Sequence, residues 1–438
     1  MTTEGIAPES VAPGAAGLSA PAEPPTGCGP LRPANAAGAE AAVPLRQALF
    51  ESVRAHGTMP RVDLARLLSV SPASVTAAAN ELLAAGFLEE VAATPREGDT
   101  LRGRPPVALA VRPGRAFVAG IKLSTPKHTA VIHDFAGTPL AEITRRSASL
   151  ILTPAEVLAQ AEELLDAALA QAGLARGDIL KLGVGLPGFI ESGSGIALWS
   201  PLISAANLPL AAMLSDHLGL DVVIDNDANL VTLAELWFGD GRGVANFAVV
   251  TIEYGVGMGL VIDNRLYRGA RGLGTELGHT KVQLDGALCR CGQRGCLEAY
   301  VADYALVREA STALSLVPNH VPPMQMLESL YREAKAGNAA ARSIFRRAGR
   351  YLAVGLGNVV NLFDPELILL SGERMRWDYL YADDVLAELQ RSSIQVDRPS
   401  PRVEIHAWGD MIWARGAAVL AMSQVTSELL GPGAVVAA

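Results

Sequence analysis

Apolar residues recur at helical spacing from Pro44 onward: Leu45, Leu49 and Val53 share one face, and Gly57 ends the run. In PRVDLARLL, Leu64, Leu67 and Leu68 lie on one side. In PASVTAAANELLAAGF, Val75, Ala79, Leu82 and Leu83 form the inward stripe; Ser71 just ahead suits the N-cap, Pro72 the first turn and Gly86 the end. Three short helices with a tight turn between the second and third predict a helix-turn-helix. FLEEV and PPVALAV then read as two strands joined by the polar loop from Ala92 to Arg104, the place of a wing.

From Phe117 the pattern becomes α/β. AFVAGIKL and HTAVIHDFAGTPLAEITRR predict consecutive strands turning at Ala136–Gly137, and PAEVLAQAEELLDAALAQAG an amphipathic helix. KLGVGLPGFI and DVVIDND predict buried strands, and ANLVTLAELWFG a helix. A second meander follows in FAVVTIEYGVGMGLVID, the turn Asp263–Asn264 and RLYRG, and AGRYLAVGLGNVVNLFDPELILLSGE adds a long helix, a strand and a glycine turn. The repeated order predicts two similar α/β lobes with a cleft between them.

Composition adds a tail. Residues 1–43 are rich in Ala, Pro, Gly and Glu without apolar period, which predicts disorder. The expected domains are therefore a tail over 1–43, a winged helix-turn-helix over 44–113 and a two-lobed module over 114–438. A net charge of −9 argues against non-specific nucleic-acid binding by the whole chain. From Pro44 to Arg112 eight arginines face seven acids, so the order of elements, not charge, points to DNA. No long apolar run and no basic start leading into an apolar core occurs, so neither membrane span nor signal peptide is expected, and the sparse cysteines suit a cytoplasmic protein.

Three of the four cysteines, Cys289, Cys291 and Cys296, fall in HTKVQLDGALCRCGQRGCLEAY, which begins at His279. Three thiols and an imidazole are a standard structural zinc set, and Gly292 and Gly295 let the loop fold back. With four protein ligands no position is left for water, so the expected Zn2+ is structural. Glu276 and Glu298 flank this loop, and Asp225, Asn226 and Asp227 end a strand at a sheet's carboxyl edge, where α/β clefts bind ligands. Such carboxylates suit a polyhydroxy ligand, and Trp199 and Asn207 are candidates for the same pocket.

These residues resemble the ROK family of repressors, open reading frames and sugar kinases over roughly residues 44–425, on LYRGARGLGTELGH, GALCRCGQRGCLEAY, DNDAN, the LPG at 186–188 and NLFDPELILLSG. The resemblance implies an actin-like sugar-kinase fold, with sugar held by Asn226, Asp227, Glu276, His279 and Glu298, Asp227 standing at the kinases' general base. It implies zinc on His279, Cys289, Cys291 and Cys296. The N-terminal module matches the repressor branch, which the kinases lack. Kinases of the family open with Asp-x-Gly-Gly-Thr, but here Lys122 replaces the Asp, Ser124 and Thr125 the glycines, and Pro126 the threonine. A second phosphate loop, Gly-Thr-Gly in the kinases, is Glu253-Tyr254-Gly255, and a third carries Ser371 for a glycine. Side chains and a proline obstruct backbone N–H contact with phosphate, and a lysine repels its metal.

The expected protein is a non-catalytic, sugar-responsive regulator. Ser74, Thr76 and Asn80 face DNA from the third helix beside exposed Ala73 and Ala77, and Arg102 and Arg104 reach DNA from the wing. Operator DNA, a sugar or sugar-phosphate effector and a second copy, as homodimer or homotetramer, are the expected partners. The rivals are a bifunctional kinase and a repressor without ligand control.

Overall fold

The computed structural model describes residues 27–31, 43–92, 107–147, 149–313, 322–372, 387–389, 391, 400–406 and 409–434. The N-terminal module runs α1 (Leu45–His56), β1 (Thr58–Pro60), α2 (Arg61–Leu67), α3 (Pro72–Ala84), β2 (Leu88–Ala92) and β3 (Val107–Val111). Ser71 caps α3 as its sequence suggests, accepting the Ser74 N–H at 3.1 Å on its hydroxyl. Val75, Ala79 and Leu82 are buried with Leu49, Phe50, Val53 and Leu64, whereas Leu83 is only partly covered. The two expected strands pair antiparallel, Leu88 opposite Val111. A third strand, β1, adds to the far side of β3; its three residues are too few to show a period. Arg102, Arg104 and the rest of 93–106 lie outside the described residues.

The expectation of a disordered tail over 1–43 does not hold at Gly27–Leu31. Cys28 is 3 % exposed, its N–H bonds the Arg54 carbonyl at 2.9 Å, and the Gly29 N–H bonds the Trp237 carbonyl at 3.0 Å. Composition could not reveal this, because the partners lie far along the chain. Residues 1–26 and 32–42 are outside the described set.

The larger module has two sheets of one topology. The first uses β4 (Phe117–Lys122), β5 (Lys127–Asp134), β6 (Pro139–Arg146), β7 (Ile179–Leu186) and β10 (Val222–Asn226) in the order β10-β7-β4-β5-β6. The second uses β11 (Phe247–Ile252), β12 (Val256–Ile262), β13 (Arg265–Tyr267), β14 (Leu367–Ser371) and β15 (Arg402–His406) in the order β13-β12-β11-β14-β15. Each is an antiparallel three-strand meander continued by two parallel strands. α4 (Pro154–Ala172) covers the first sheet, held at its start by a capping box between Thr153 and Glu156. A hairpin of β8 (Phe189–Glu191) and β9 (Ile196–Trp199) and then α5 (Leu210–Leu218) complete that lobe. The second lobe adds α7 (Glu298–Val301), α8 (Asp303–Ala313), α9 (Pro323–Lys335) and α10 (Ala339–Phe363).

Two helices lie between the sheets: α6 (Asp227–Phe238) and α11 (Ile412–Leu430). α11 is apolar on nearly every side, so periodicity does not announce it, and it is buried on nearly every side. Gly120 and Gly183 let it lie on β4 and β7, since a Cβ at either would collide with the carbonyl of Ala414 or Ala417. The apolar core around α6 and α11 runs without a break into the N-terminal module, where the Phe135 ring meets Phe50 and Phe87 at 4.9 and 6.4 Å between centroids.

Candidate functional site

A cavity of about 470 Å³ lies between the lobes. Its floor begins where β10 turns into α6. The Asn226 amide oxygen caps that helix, accepting the Ala228 N–H at 2.8 Å, and its NH2 donates to the Gly188 carbonyl at 2.7 Å. Asp227 starts the first turn, where the helix dipole favours a carboxylate. Burial raises its pKa, opposed by the positive charge of Lys122. Glu276 and His279 arrive on the loop after β13, and Glu298 at the start of α7, where its Oε2 accepts the Val256 N–H at 3.3 Å. Burial and the neighbouring Asp227 and Glu298 push the Glu276 carboxyl up to about 7. All five residues that the resemblance assigns to sugar, Asn226, Asp227, Glu276, His279 and Glu298, line this one cavity.

Asp225 does not belong with them. It is fully buried, accepts both the Arg268 Nε–H and Nη2–H on Oδ2 (2.9 and 2.8 Å), and bonds the Asn229 amide at 2.8 Å through Oδ1. A buried carboxylate needs such pairing, so the first acid of the Asp225–Asp227 turn is spent on structure. Asn207 also falls outside the lining; it stands in a turn at φ 55° with its N–H on the Leu198 carbonyl. Trp199 does line the cavity.

The cysteine loop closes one wall. Gly292 and Gly295 have φ of 85° and 77°, the left-handed values that let the chain double back. His279, Cys289, Cys291 and Cys296 bring one ligand atom each to within 4.8 Å of one another. Cys289 Sγ lies 3.7 Å from His279 Nδ1, and Cys291 Sγ 3.8 Å from Cys296 Sγ. Thiolates about 2.3 Å from a tetrahedral ion stand about 3.8 Å apart, so the donor set fits zinc. The Lys281 ammonium, 2.9 Å from Cys296 Sγ, balances part of the thiolate charge.

Three further loops are those that the resemblance matches to the phosphate loops of the kinases; in the second, Glu253, Tyr254 and Gly255 line the cavity beside Glu298. Lys122, 7 % exposed at the end of β4, lays its ammonium 3.5 Å from the centroid of Trp413, which begins α11 and lines the cavity. Within the turn that follows, Ser124 N–H is already bonded to His128 Nδ1 at 3.1 Å and Ser124 Oγ–H to the Lys127 carbonyl at 2.7 Å. Tyr254 holds the Arg290 guanidinium 4.8 Å from its ring centroid, and the Tyr304 ring lies 4.2 Å from the same guanidinium. Ser371 is buried. Nothing in the local sequence pointed to Trp413 or Arg290, because each reaches the cleft from another element.

Both central helices run from this cavity to the N-terminal module. In the last turn of α6 the Trp237 ring lies 4.5 Å from the Arg54 guanidinium of α1. α11 receives the Arg54 Nη1–H on Thr426 Oγ1 at 2.9 Å, and Arg46 donates to the carbonyls of Leu430 and Gly431 at 3.0 and 3.1 Å. On the far side of that module Ala73, Ser74, Thr76, Ala77 and Asn80 are all exposed along α3. Thr76 is partly committed, its hydroxyl donating to the Pro72 carbonyl at 2.9 Å, and the Ser74 and Ser71 hydroxyls are 2.9 Å apart.

Among the described residues no helix is long and apolar enough to cross a membrane. A putative xylose repressor of Caldicellulosiruptor sp. (strain Rt8B.4) is 27 % identical over 386 residues, covering 86 % of this chain and 95 % of the relative. A glucokinase of Streptomyces coelicolor is 31 % identical over 205 residues, covering 44 % of this chain and 65 % of the kinase. The crystal structure of a ROK family transcriptional regulator, a homologue of the Escherichia coli Mlc protein, superposes with a TM-score of 0.71 at 25 % identity over 87 % of this chain and 95 % of its own. The likeness to a regulator thus includes the N-terminal module, whereas the curated kinase matches less than half of the chain. With the ROK family model matching residues 119–424, through both lobes and the cysteine loop between them, the chain belongs to the ROK family.

Proposed function

We propose that this chain is a sugar-responsive transcriptional repressor of carbohydrate genes, with no sugar-kinase activity. The observation that carries the reading is the division of the cleft. Five sugar-type polar residues share one cavity, while Lys122 on Trp413 and Tyr254 on Arg290 stand where a nucleotide's phosphates and metal would need bare backbone and acid. Asp227, with no phosphoryl transfer to assist as a base, accepts a hydrogen bond from a sugar hydroxyl. His279, Cys289, Cys291 and Cys296 hold a structural Zn2+ that stiffens the wall carrying Glu298.

The N-terminal module reads operator DNA as a winged helix-turn-helix. α3 lies in the major groove with Ser74, Thr76 and Asn80 facing bases, and the wing brings Arg102 and Arg104 to phosphate or the minor groove. A homodimer, alone or paired in a tetramer, presents two such helices to a two-fold operator. The DNA face and the cleft communicate through α6 and α11, which begin in the cavity and end on Arg54 and Arg46. A sugar that binds one lobe arrangement better than the other shifts these helix ends and with them the two recognition helices. Coupling of this kind is typically about 1–3 kcal/mol.

The test is calorimetric titration of sugars with and without a duplex that the purified protein selects from a random pool. A sugar whose affinity changes with DNA, and a DNA affinity that changes reciprocally, is expected. Equal affinities in both arms overturn sugar control, and sugar-dependent ATP consumption overturns the loss of kinase activity. Asn80→Ala is expected to weaken selected DNA by about 1–3 kcal/mol at one base position; an unchanged DNA preference removes α3 from the groove.

A further inference from the structure

Among the described residues four aromatic rings are counted as exposed, Trp199, Tyr254, Tyr267 and Phe363, and two of these, Trp199 and Tyr254, line the sugar cavity. They come from opposite lobes. Trp199 ends β9 at 49 % exposure, and Tyr254 follows β11 at 61 %. Both rings line a polar cleft, where an aromatic face offers apolar surface to a ligand whose hydroxyls meet the polar groups.

Trp199 is also the end of a row. Its ring centroid is 5.8 Å from that of Phe189, directly across the hairpin, and Phe189 is 5.9 Å from His279 on the cavity wall. The row therefore leads outward from the polar floor over a distance longer than one pyranose ring. The hairpin that carries it is fixed to the floor, because Asn226 donates to the Gly188 carbonyl at 2.7 Å. Ala197 and Leu208 exchange backbone hydrogen bonds at 2.8 and 2.9 Å on its outer strand. The aromatic platform is thus built before any ligand arrives, which lowers the cost of binding. On the second lobe Tyr254 is stiffened by the Arg290 guanidinium that stacks on it.

The charge of the site limits what can lie there. The lining includes four carboxyl groups, Asp227, Glu253, Glu276 and Glu298, against one guanidinium, Arg290. An anionic ligand is disfavoured, whereas a neutral sugar offers hydroxyls to the acids and C–H faces to the rings. A cavity of about 470 Å³ falls in the range of roughly 300–1,000 Å³ that buries most of a drug-sized molecule.

We infer that Trp199 and Tyr254 form a second subsite of the sugar cleft, which takes the outer ring of a neutral disaccharide or glycoside whose inner ring is held by Asn226, Asp227, Glu276 and Glu298. The inference rests on the sugar-binding reading of the cavity and names the ligand class for it. Closing of the lobes brings the two rings toward the faces of the outer sugar, so the subsite also tells a disaccharide from its component monosaccharide.

The experiment titrates the full-length protein with glucose, maltose and cellobiose, and with xylose and xylobiose, in wild type, Trp199→Ala, Trp199→Phe and Tyr254→Ala. At least one disaccharide should bind about tenfold or more tightly than its monosaccharide, the size expected from burying one further apolar ring face. Trp199→Ala should remove most of that advantage, weakening the disaccharide at least about fivefold more than the monosaccharide, and Trp199→Phe should restore it. Tyr254→Ala should act in the same direction. Monosaccharide binding with no disaccharide advantage overturns the subsite and leaves sugar binding intact. An equal loss for both sugar sizes makes Trp199 merely structural and also overturns it. A change in oligomeric mass with unchanged disaccharide affinity assigns the ring to a subunit contact instead. Binding of no sugar in any form overturns both this inference and the reading beneath it.

Discussion

Asn226, Asp227, Glu276 and Glu298 turn polar groups into a shared cavity, whereas the positions matching phosphate loops carry Lys122, Tyr254 and Ser371. The sheets behind these loops share one topology, down to the two parallel strands that continue each meander. The difference lies in what each ligand asks of the chain. A hydroxyl is met by a side-chain oxygen on a helix start or a stiffened loop, and each such residue acts nearly alone. Phosphate asks for several bare N–H groups and a metal at once, so a lysine, a tyrosine and a proline suffice to spoil the set. In the function proposed above, a common backbone therefore does not carry a common chemistry: the polar set binds a sugar while the phosphate loops are filled by other side chains.

The largest effect is expected from metal removal, which acts first on the wall that carries Glu298. Purified protein should contain about one zinc per chain. Metal in finger peptides contributes roughly 10–16 kcal/mol of folding free energy, so Cys296→Ser should lose the ion and loosen the wall that carries Glu298. Metal analysis and sugar titration of the variant check this; full sugar affinity without metal would separate the loop from the cleft.

Next in size is Asp227→Ala. A charge-assisted hydrogen bond is worth about 1.5–3 kcal/mol, so sugar affinity should fall about tenfold or more while sugar-free DNA binding stays the same. An unchanged affinity would move the sugar away from the start of α6.

A smaller effect links the two sides. Burial raises the Asp227 pKa, and the Lys122 charge pulls it down. Removing that charge in Lys122→Gln lets the carboxyl hold its proton to higher pH. Sugar affinity that depends on the carboxylate should then be lost at a higher pH on acidification than in wild type, and Lys122→Arg should restore the original profile. Coincident profiles for all three proteins would mean that Lys122 only fills space beside Trp413.

The smallest expected effect is none. A ligand present at a hundred times its Kd stabilises a protein by about 2.7 kcal/mol, which is readily seen as a rise in Tm. Magnesium with a non-hydrolysable ATP analogue should give no such rise, with or without sugar. A clear shift would show a working phosphate side and erase the contrast from which these expectations start.

The sequence by itself determined what depends on neighbours along the chain. The helical period of Val75, Ala79 and Leu82, with Ser71 and Pro72 ahead of it, fixed both the burial of α3 and its outward Asn80. The Asp263–Asn264 turn, at φ 50° and 60°, and the Gly292 and Gly295 bends are likewise local, as is the gathering of Cys289, Cys291 and Cys296. The tertiary structure alone decided where distant groups meet. It took Asp225 out of the cleft by pairing it with Arg268, and brought Trp413 beneath Lys122. It buried Cys28, and it set Arg242 against the Gly29 carbonyl at 3.0 Å from 213 residues away. Such contacts leave no period to read. A short strand such as β1, a helix apolar on every side such as α11, or a lone charged residue becomes meaningful only once packing supplies its partner, because burial and charge pairing are properties of the assembled surroundings.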